Sequence, residues 1–214
     1  MSKVLRPRWI DSASGVRTVA ERAVPGMRVA VDTEADSMHS YFHKVCLIQV
    51  TIGDAHWVID PLALQPTDLE PLWTILSDPA VPILMHGADY DIRILDRDYD
   101  ASVRGLEDTQ IMAQLLGEPK TGLAALLGKE LEVRLDKRHQ RADWGRRPLT
   151  PSQVAYAAAD TAFLESLAVV LRDRLRSMGR WAWAEEDFLR LEQVRHRPVE
   201  PDPLAFERLK GARA

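Results

Sequence analysis

Short apolar runs of strand length dominate the first third of the chain. Residues 27–32, 45–52 and 56–59 are rich in β-branched and other apolar side chains. The Gly53-Asp54 pair between the last two runs is typical of a β-hairpin turn. The pattern therefore predicts three strands, of which the second and third pair as a hairpin.

The remainder of the chain alternates short apolar runs with helical spacing. Residues 82–85 are typical of a strand buried on both faces, and residues 103–107 are a further short strand candidate. Helical spacing occurs in six segments, namely 12–24, 68–76, 88–95, 111–116, 122–131 and 151–178. The longest of them opens with Thr150-Pro151, an N-cap residue followed by a proline at the first helical position. Strands that alternate with helices predict an α/β fold with a mixed β-sheet flanked by helices.

The composition is that of a globular protein. The 214 residues are 46% hydrophobic and 28% charged, and a chain of this length suits one large domain. No signal peptide and no apolar run of membrane-spanning length is recognisable, so we expect a cytoplasmic location and no membrane partner. The single cysteine, Cys46, rules out an internal disulfide. It lies in an apolar strand, where a buried core thiol is expected rather than a nucleophile.

The net charge of −4 does not indicate nucleic-acid binding. Part of that acidity, however, belongs to a candidate metal site, where bound cations would offset it. Residues 197–214 are rich in proline and charge, which is typical of a tail or linker. We therefore expect one domain over residues 1–196, followed by a tail over residues 197–214 and no second domain.

Four carboxylates and one tyrosine lie at the ends or entries of buried elements. Asp32 and Glu34 are two residues apart, so a strand points both to one face of a sheet. Tyr156 and Asp160 are four residues apart, so a helix places them one turn apart on one face. Asp91 follows a predicted strand. Carboxylates held close together repel unless a cation lies between them, and such oxygen ligands suit Mg²⁺ or Mn²⁺ better than Zn²⁺.

Each of these residues also has an ordinary structural interpretation. Asp32 and Glu34 could cap a helix, and Asp91 could be a first-turn acid favoured by the helix dipole. Tyr156 and Asp160 could be a packing contact and a solvated acid. Their joint occurrence, in order and at the ends of buried elements, predicts instead one site for two divalent metal ions. Such a pair of ions is a standard device for cleaving phosphodiesters.

Two polar segments flank the candidate site. Residues 135–149 are basic and include Trp144, and their side chains could contact a phosphate backbone or form a solvated loop. The polar candidates in that segment are Lys137, His139, Arg141, Arg146 and Arg147. Residues 36–44 follow the first acidic pair and could stack a terminal base or form a mobile surface loop. The stacking candidates there are His39, Tyr41 and Phe42.

Together these residues resemble the ribonuclease D family, in the tyrosine branch of the DEDD 3′→5′ exonucleases. Residues 31–34 (Val-Asp-Thr-Glu) resemble the first motif of that family, and residues 86–91 (His-Gly-Ala-Asp-Tyr-Asp) resemble the second. Residues 156–160 (Tyr-Ala-Ala-Ala-Asp) resemble the third. Residues 47–49 and 122–149 are similar to other stretches of the family. The likeness covers most of the chain, and the three motifs are specific when they occur together in this order.

The resemblance implies a ribonuclease H-like core and hydrolysis of RNA from its 3′ end, with release of nucleoside 5′-monophosphates. It implies processing of structured RNA, such as the trimming of tRNA precursors. It also implies that Asp32, Glu34 and Asp160 hold one metal ion, that Asp32 and Asp91 support a second, and that Tyr156 orients the attacking water. Contacts to nucleic acid are expected from ten residues, namely His39, Tyr41, Phe42, Gln49, His86, Lys137, His139, Gln140, Arg141 and Arg147. His86 could equally be an ordinary histidine at a strand end.

Other functions are compatible with the same residues. A DNA exonuclease would use the same chemistry, because no group that contacts a 2′-hydroxyl is recognisable. A nucleic-acid-binding protein could retain the fold without activity, and a hydrolase of small phosphate esters could use the same metals. Residues 206–213 resemble the approach to the helicase-and-ribonuclease-D C-terminal domain that the family often carries, and the sequence ends there. Substrate choice is therefore less defined than the chemistry, and no oligomeric state is predicted.

Overall fold

The computed structural model describes residues 5–24, 26–136 and 138–198. Within them the chain forms one six-stranded sheet. The strands are β1 (Arg8–Ile10), β2 (Val29–Ala35), β3 (Val45–Ile52), β4 (Ala55–Ile59), β5 (Ile83–Met85) and β6 (Leu106–Asp108). Their order across the sheet is β1-β4-β3-β2-β5-β6.

The sheet is mixed. β2 pairs antiparallel with β3, and β3 pairs antiparallel with β4 through a tight turn in which Gly53 has a φ of +57°. The other three pairs, β1 with β4, β2 with β5 and β5 with β6, are parallel. The predicted hairpin and the predicted mixed sheet are confirmed, and the strand predicted over residues 45–52 has the bounds observed for β3.

The described residues also form eight α-helices. They are α1 (Ala13–Ala20), α2 (Glu70–Leu76), α3 (Asp89–Tyr99), α4 (Thr109–Leu115), α5 (Leu123–Glu130), α6 (Pro151–Ala162), α7 (Leu164–Ser177) and α8 (Trp181–Leu191). Ser12 caps α1 by accepting a hydrogen bond from the backbone N–H of Gly15. Two short 3₁₀ helices, Pro61–Ala63 and Pro66–Leu69, lead into α2.

The helices cover both faces of the sheet. On one face, α1, α2 and α3 pack against strand residues that include Val29 and Val31. On the other face, α4, α5, α7 and α8 pack around Ala30 and Leu84, and α6 packs over Leu47. Successive strand residues point to opposite faces, so each central strand serves both cores. The same alternation decides which residues of β2 meet α3 and which meet α6.

The structure corrects the long helix predicted over residues 151–178. The backbone leaves helical geometry at Phe163, with φ −118° and ψ 1°, and so separates α6 from α7. No proline or glycine lies at the break, so no sequence signal indicated it. By length and composition the stretch Pro151–Ser177 is apolar enough to cross a membrane, contrary to expectation. Its buried side chains nevertheless pack against the sheet and neighbouring helices, as those of a core helix do.

One strand and one α-helix were not predicted, and another strand is displaced. β1 has only three residues, and α8 lies in a segment to which no structure was assigned. The strand expected over residues 103–107 forms instead at Leu106–Asp108. Most of the tail expected over residues 197–214 lies outside the described residues, so the expected domain division stays a prediction.

Candidate active site

Asp32 and Glu34 lie within β2, which continues to Ala35 rather than ending at Asp32 as predicted. In the antiparallel register Asp32 is opposite Gln49, and Glu34 is opposite Leu47, which packs under α6. Residues two apart on a strand share a face, so both carboxylates point toward α6. The predicted pairing of these two acids is therefore present in the fold.

The helix α6 brings Tyr156 and Asp160 over the same face. Thr150 caps the helix by accepting a hydrogen bond from a first-turn N–H, and its reciprocal capping box fixes where the helix begins. Ala157 and Ala158 are fully buried against the sheet, and their small side chains let the helix approach it closely. Tyr156 and Asp160 are four positions apart, so both reach the site from one side of the helix.

Three carboxylates converge where β2 meets α6. One oxygen from each of Asp32, Glu34 and Asp160 lies within 4.8 Å of the other two. None of the ion pairs formed within the described part of the chain includes any of these three acids. Hard oxygen ligands without a protein counter-charge fit a divalent cation such as Mg²⁺ or Mn²⁺. The donor set is therefore suited to the metal chemistry that the sequence predicted.

Asp91 approaches the cluster from α3, which packs on the opposite face of the sheet. Thr33 lies between the two acids of β2 and points to that face, where its hydroxyl donates a short hydrogen bond to the Asp91 carboxylate. Asp91 does not belong to the three-carboxylate cluster, yet its charge raises the pKa of both Asp32 and Glu34. The fourth acid thus lies beside the cluster and is held in place by Thr33.

Asp108 fixes the turn that leads into α3. Its carboxylate accepts the backbone N–H of Gly87 at 3.0 Å and that of Ala88 at 2.7 Å, and it also caps α4. Gly87 has a φ of +72°, and a Cβ there would lie 3.0 Å from the Gln110 side chain. Both observations favour glycine at this position. The turn sets where α3 begins and therefore where Asp91 lies.

Burial raises the pKa of each carboxyl group at the site, and repulsion from the neighbouring site acids raises those of Asp32 and Glu34 further. Burial, followed by the charges of Asp160 and Asp91, raises the pKa of Glu34 to about 9. Burial raises the pKa of Asp160 to about 7 and that of Asp91 to about 6, although the Thr33 hydrogen bond opposes the second shift. Burial and the three neighbouring acids also raise the pKa of Asp32 well above its usual value. The metal-free cluster therefore retains protons near neutral pH.

These pKa shifts predict a stability that depends on pH and on metal. The folded pKa values of Glu34 and Asp160 exceed the unfolded ones, so their contribution to stability is complete at low pH and is lost as pH rises through about 7 and about 9. We expect the melting temperature in chelator to fall between pH 6 and pH 9. Saturating Mg²⁺ should raise it most at pH 9, because the cation replaces the lost protons. Thermal unfolding that is insensitive to pH in chelator, or to Mg²⁺ at pH 9, would contradict the assignment.

Tyr156 is held by aromatic neighbours from the basic segment. Trp144, buried with 2% of its surface exposed, stacks on the Tyr156 ring at a centroid distance of 6.0 Å. His139 contacts the ring edge-on at 5.8 Å and lies 3.1 Å from the Ser152 hydroxyl through Nε2. Burial and the nearby carboxylates, Asp160 foremost, raise the pKa of the Tyr156 phenol above its usual value. The phenol is therefore neutral and stays able to donate a hydrogen bond.

Two cavities share the acidic side chains of β2. The large cavity, of about 460 Å³, is lined by Asp32, Glu34, Tyr156 and Asp160 and by the start of α5. The small cavity, of about 260 Å³, is lined by Asp32 and Glu34 again, together with Asp91 and parts of the two polar segments. The acids thus form a common wall that a polymer bound across both cavities would contact.

Several of the predicted nucleic-acid contacts lie at these cavities. His86 lines the large cavity, Arg141 the small one and Gln140 both. The Nε2 atom of His39 lies 3.4 Å from the Arg141 carbonyl oxygen, so the two polar segments meet beside the small cavity. His86 is also anchored in the fold, because its Nδ1 atom lies 2.9 Å from the hydroxyl of Thr109.

Two aromatic side chains of residues 36–44 are exposed. Tyr41 has 92% and Phe42 has 84% of its surface exposed, and their rings form an edge-to-face pair with centroids 4.9 Å apart. Exposed aromatic rings of this kind can stack on nucleobases. Neither lines the two cavities. The structure therefore places this pair outside both cavities.

Three further predicted nucleic-acid contacts are buried, serve as an anchor or lie outside the described residues. Gln49 is fully buried in the sheet, so nucleic acid cannot reach it in this conformation. Arg147 forms an ion pair with Asp60 at 2.6 Å and donates to the carbonyl oxygen of Cys46 at 2.8 Å, which makes it an anchor of the basic segment. Lys137 lies outside the described residues. As expected, Cys46 is a buried thiol, and burial raises its pKa to about 11.

The sequence patterns did not identify three residues that support the site. Thr33 holds Asp91, Asp108 fixes the turn before α3, and Trp144 packs on Tyr156. Thr33 and Trp144 lie inside segments that were already singled out, but no pattern distinguishes a residue that holds a catalytic group from its neighbours. Asp108 follows a strand and precedes a helix, where an acid is expected as a simple cap.

Comparison with known proteins agrees with this geometry. A family model described as 3′-5′ exonuclease matches residues 7–176. Ribonuclease D from Escherichia coli is 35% identical over 190 residues, which cover 88% of this chain and 49% of that protein. The catalytic core of RRP6 from Trypanosoma brucei superimposes with a TM-score of 0.88 at 27% identity and covers 96% of this chain and 57% of that chain. NrnC from Brucella melitensis, in a structure with pGG bound, has a TM-score of 0.72 at 28% identity and covers 78% of this chain and 82% of that chain.

The chain spans 27% to 54% of the length of the most similar curated relatives. The matches to these relatives confirm the resemblance to the ribonuclease D family and the ribonuclease H-like fold of the mixed sheet. Because one family model matches most of the residues, including all three acidic motifs, the chain belongs to the 3′-5′ exonuclease family.

Proposed function

We propose that this chain is a metal-dependent 3′→5′ exoribonuclease that releases nucleoside 5′-monophosphates. The observation that carries the proposal is the convergence of Asp32, Glu34 and Asp160, whose ligand oxygens lie within 4.8 Å of one another. Asp91 lies beside them, and Tyr156 lines the same cavity. Relatives named Ribonuclease D and RRP6 support RNA as the substrate.

The carboxylates would hold two divalent ions, Mg²⁺ or Mn²⁺. Asp32, Glu34 and Asp160 would hold one of them, and Asp32 with Asp91 would hold the other directly or through water. The ions supply Lewis acidity to the scissile phosphate and an activated water as the nucleophile. Thr33 keeps the Asp91 carboxylate in place through its hydrogen bond and so fixes the spacing of the two halves of the site.

Tyr156 would orient the attacking water. Its phenol is neutral because burial and the neighbouring acids raise its pKa, so it acts as a hydrogen-bonding group and not as a phenolate base. Trp144 stacks on one side of the ring and His139 contacts it edge-on, which restricts the rotation of the side chain. Tyr156 and Asp160 line the same cavity, so the hydroxyl would act on a water held there.

Substrate contacts would come from the cavity walls and the exposed aromatic pair. Gln140 and Arg141 line the small cavity, and His139 lies against Tyr156. Tyr41 and Phe42 could stack bases just outside the site. We further propose that the substrates are tRNA precursors or other structured RNA, which the enzyme trims. The proposed location is the cytoplasm, and the proposed catalytic domain spans residues 1–196.

A second candidate substrate is a very short RNA. NrnC, whose pGG-bound structure covers 78% of this chain, is a relative in which a dinucleotide occupies the fold. The two cavities have room for few nucleotides, with volumes of about 460 and 260 Å³. Hydrolysis of a dinucleotide compared with that of a 20-nucleotide RNA would separate the two substrates. A matched DNA oligonucleotide would test the alternative of a DNA exonuclease.

The experiment that tests the proposal follows the polarity of degradation. We expect a 5′-labelled RNA with a free 3′-hydroxyl to be shortened one nucleotide at a time in Mn²⁺, with 5′-monophosphates as products. The same RNA with a 3′-phosphate should be degraded much more slowly, because the terminal hydroxyl is absent. Cleavage of a circular RNA would overturn the exonuclease, and binding without any degradation would favour the nucleic-acid-binding alternative.

A further inference from the structure

Gln49 is a buried amide for which the core offers no partner. Its side chain is fully buried, and within the described part of the chain neither its Nε2 nor its Oε1 atom has a hydrogen-bond partner. Burying an amide without partners is unfavourable, and an apolar side chain of the same size would pack there without that cost. The residue therefore calls for a role other than packing.

The register places this amide beside the metal-site acids. Gln49 lies directly opposite Asp32 on the antiparallel strand, so both side chains point to the face covered by α6. Directly opposite residues have Cβ atoms about 4.5–5.5 Å apart, within reach of a glutamine amide. The other cross-strand neighbour is Val58, which is apolar, and the next polar residue on this face, Thr51, is hydrogen-bonded to Thr161 at 2.8 Å. Asp32 is therefore the neighbouring residue whose side chain can accept a hydrogen bond from the Gln49 amide.

We infer that Gln49 is a positioning residue of the metal site, whose Nε2–H donates to the Asp32 carboxylate when that carboxylate holds a cation. The inference rests on the proposed function, because it requires a metal at Asp32. An ionised carboxylate has about four lone-pair sites, so Asp32 can bind cations and still accept a hydrogen bond. The group that donates this hydrogen bond orients the carboxylate and strengthens its hold on the metal.

A comparison with other side chains at position 49 explains why this position carries a glutamine. A leucine or methionine would fill the space but leave the Asp32 carboxylate without this donor. A glutamate would add another negative charge to a cluster whose acids already repel one another. A glutamine supplies a neutral donor with enough reach to follow the carboxylate as it binds the cation.

The test is the metal affinity of Gln49→Met, which conserves volume and removes both polar atoms. Calorimetric titration with Mn²⁺ in the absence of RNA measures the affinity, and thermal unfolding in chelator measures the metal-free stability. We expect the Mn²⁺ affinity to fall by about tenfold to a hundredfold, the usual loss when the partner of a metal ligand is removed. The melting temperature in chelator should stay the same or rise, because two unpartnered polar atoms leave the core.

Leu47→Met is the matched control, because Leu47 lies two residues away on the same strand and face, opposite Glu34. It should leave the Mn²⁺ affinity unchanged. An unchanged affinity in Gln49→Met, or equal losses in both variants, would overturn the inference. Failure of both Gln49→Met and Gln49→Leu to fold would make Gln49 a structural residue and overturn it as well. Wild-type protein that binds no Mn²⁺ would overturn the proposed function itself, whereas normal wild-type binding with normal Gln49→Met binding would remove only this inference.

Discussion

Asp32→Asn is expected to abolish exonuclease activity while the protein remains folded. The substitution keeps the size of the side chain and removes a charge that a cation needs. We expect turnover to fall by at least about a hundredfold to a thousandfold. That is the usual loss when one preorganised charge-stabilising group is removed. In chelator the variant should be as stable as the wild type or more so at pH 8, because one member of a buried, mutually repelling cluster becomes neutral.

Single-turnover cleavage of 3′-labelled RNA and thermal unfolding together check this prediction. Asp173→Asn, which neutralises an exposed acid on α7, is the charge-matched control and should retain wild-type turnover. Substantial cleavage by Asp32→Asn in saturating Mn²⁺ would remove the acid from the metal site. A large loss of stability in chelator would show that the carboxylate supports the fold and not a cation.

Tyr156→Phe is expected to reduce turnover without weakening the binding of metal or RNA. The change removes one hydroxyl and keeps the ring, so the stacking on Trp144 is preserved. Groups that transfer or orient a proton in the transition state contribute about a hundredfold to ten-thousandfold in rate. We therefore expect a fall of that size in the single-turnover rate, with Mn²⁺ affinity and RNA affinity close to those of the wild type.

Tyr99→Phe is the matched control for this substitution. Tyr99 is partly buried at the end of α3, where its ring packs on Trp73 at a centroid distance of 5.0 Å, and it lines neither of the two cavities. Its variant should cleave at the wild-type rate. Wild-type cleavage by Tyr156→Phe would leave Tyr156 as a packing residue and the carboxylates as the only catalytic groups.

The central strands and the hairpin were predictable because two local signals in the sequence, an apolar run and a turn, indicate them. The run at residues 45–52 is continuous and apolar, as a strand buried on both faces requires, and Gly53 supplies the turn. The break at Phe163 was not predictable, since ordinary helix-forming residues flank it. β1 has three residues and gains its stability from pairing with β4, which is a contact that no local pattern contains.

The acids of the site were predictable for a different reason. Asp32, Glu34 and Asp160 are unfavourable where they lie unless something compensates their charge, so their position against apolar runs indicated a function. Gln49 and Arg147 show the limit of the same reasoning. Both were assigned to nucleic acid from a local segment, but the strand register and the Asp60 ion pair, which are tertiary contacts, place them in the interior or at an anchor.

The roles of the supporting residues Thr33 and Asp108 were even less predictable, because their contacts form only in the tertiary structure. Thr33 meets Asp91 only because the alternation of β2 sends it to the α3 face, 58 residues away in sequence. Asp108 meets Gly87 and Ala88 because β5 and β6 are adjacent and parallel. Sequence spacing identifies groups that share an element, whereas these contacts join elements that only the folded sheet brings together.

Release of the 3′-terminal nucleotide from a 3′-labelled RNA, followed in Mn²⁺ and in chelator, is the decisive measurement for a metal-dependent exonuclease. Wild-type protein should release labelled nucleoside 5′-monophosphate in Mn²⁺ and none in chelator, and Asp160→Asn should release none in either, because the carboxylate cluster is incomplete. Release by the wild type in chelator, or undiminished release by Asp160→Asn in Mn²⁺, would contradict a metal-dependent exonuclease centred on these carboxylates.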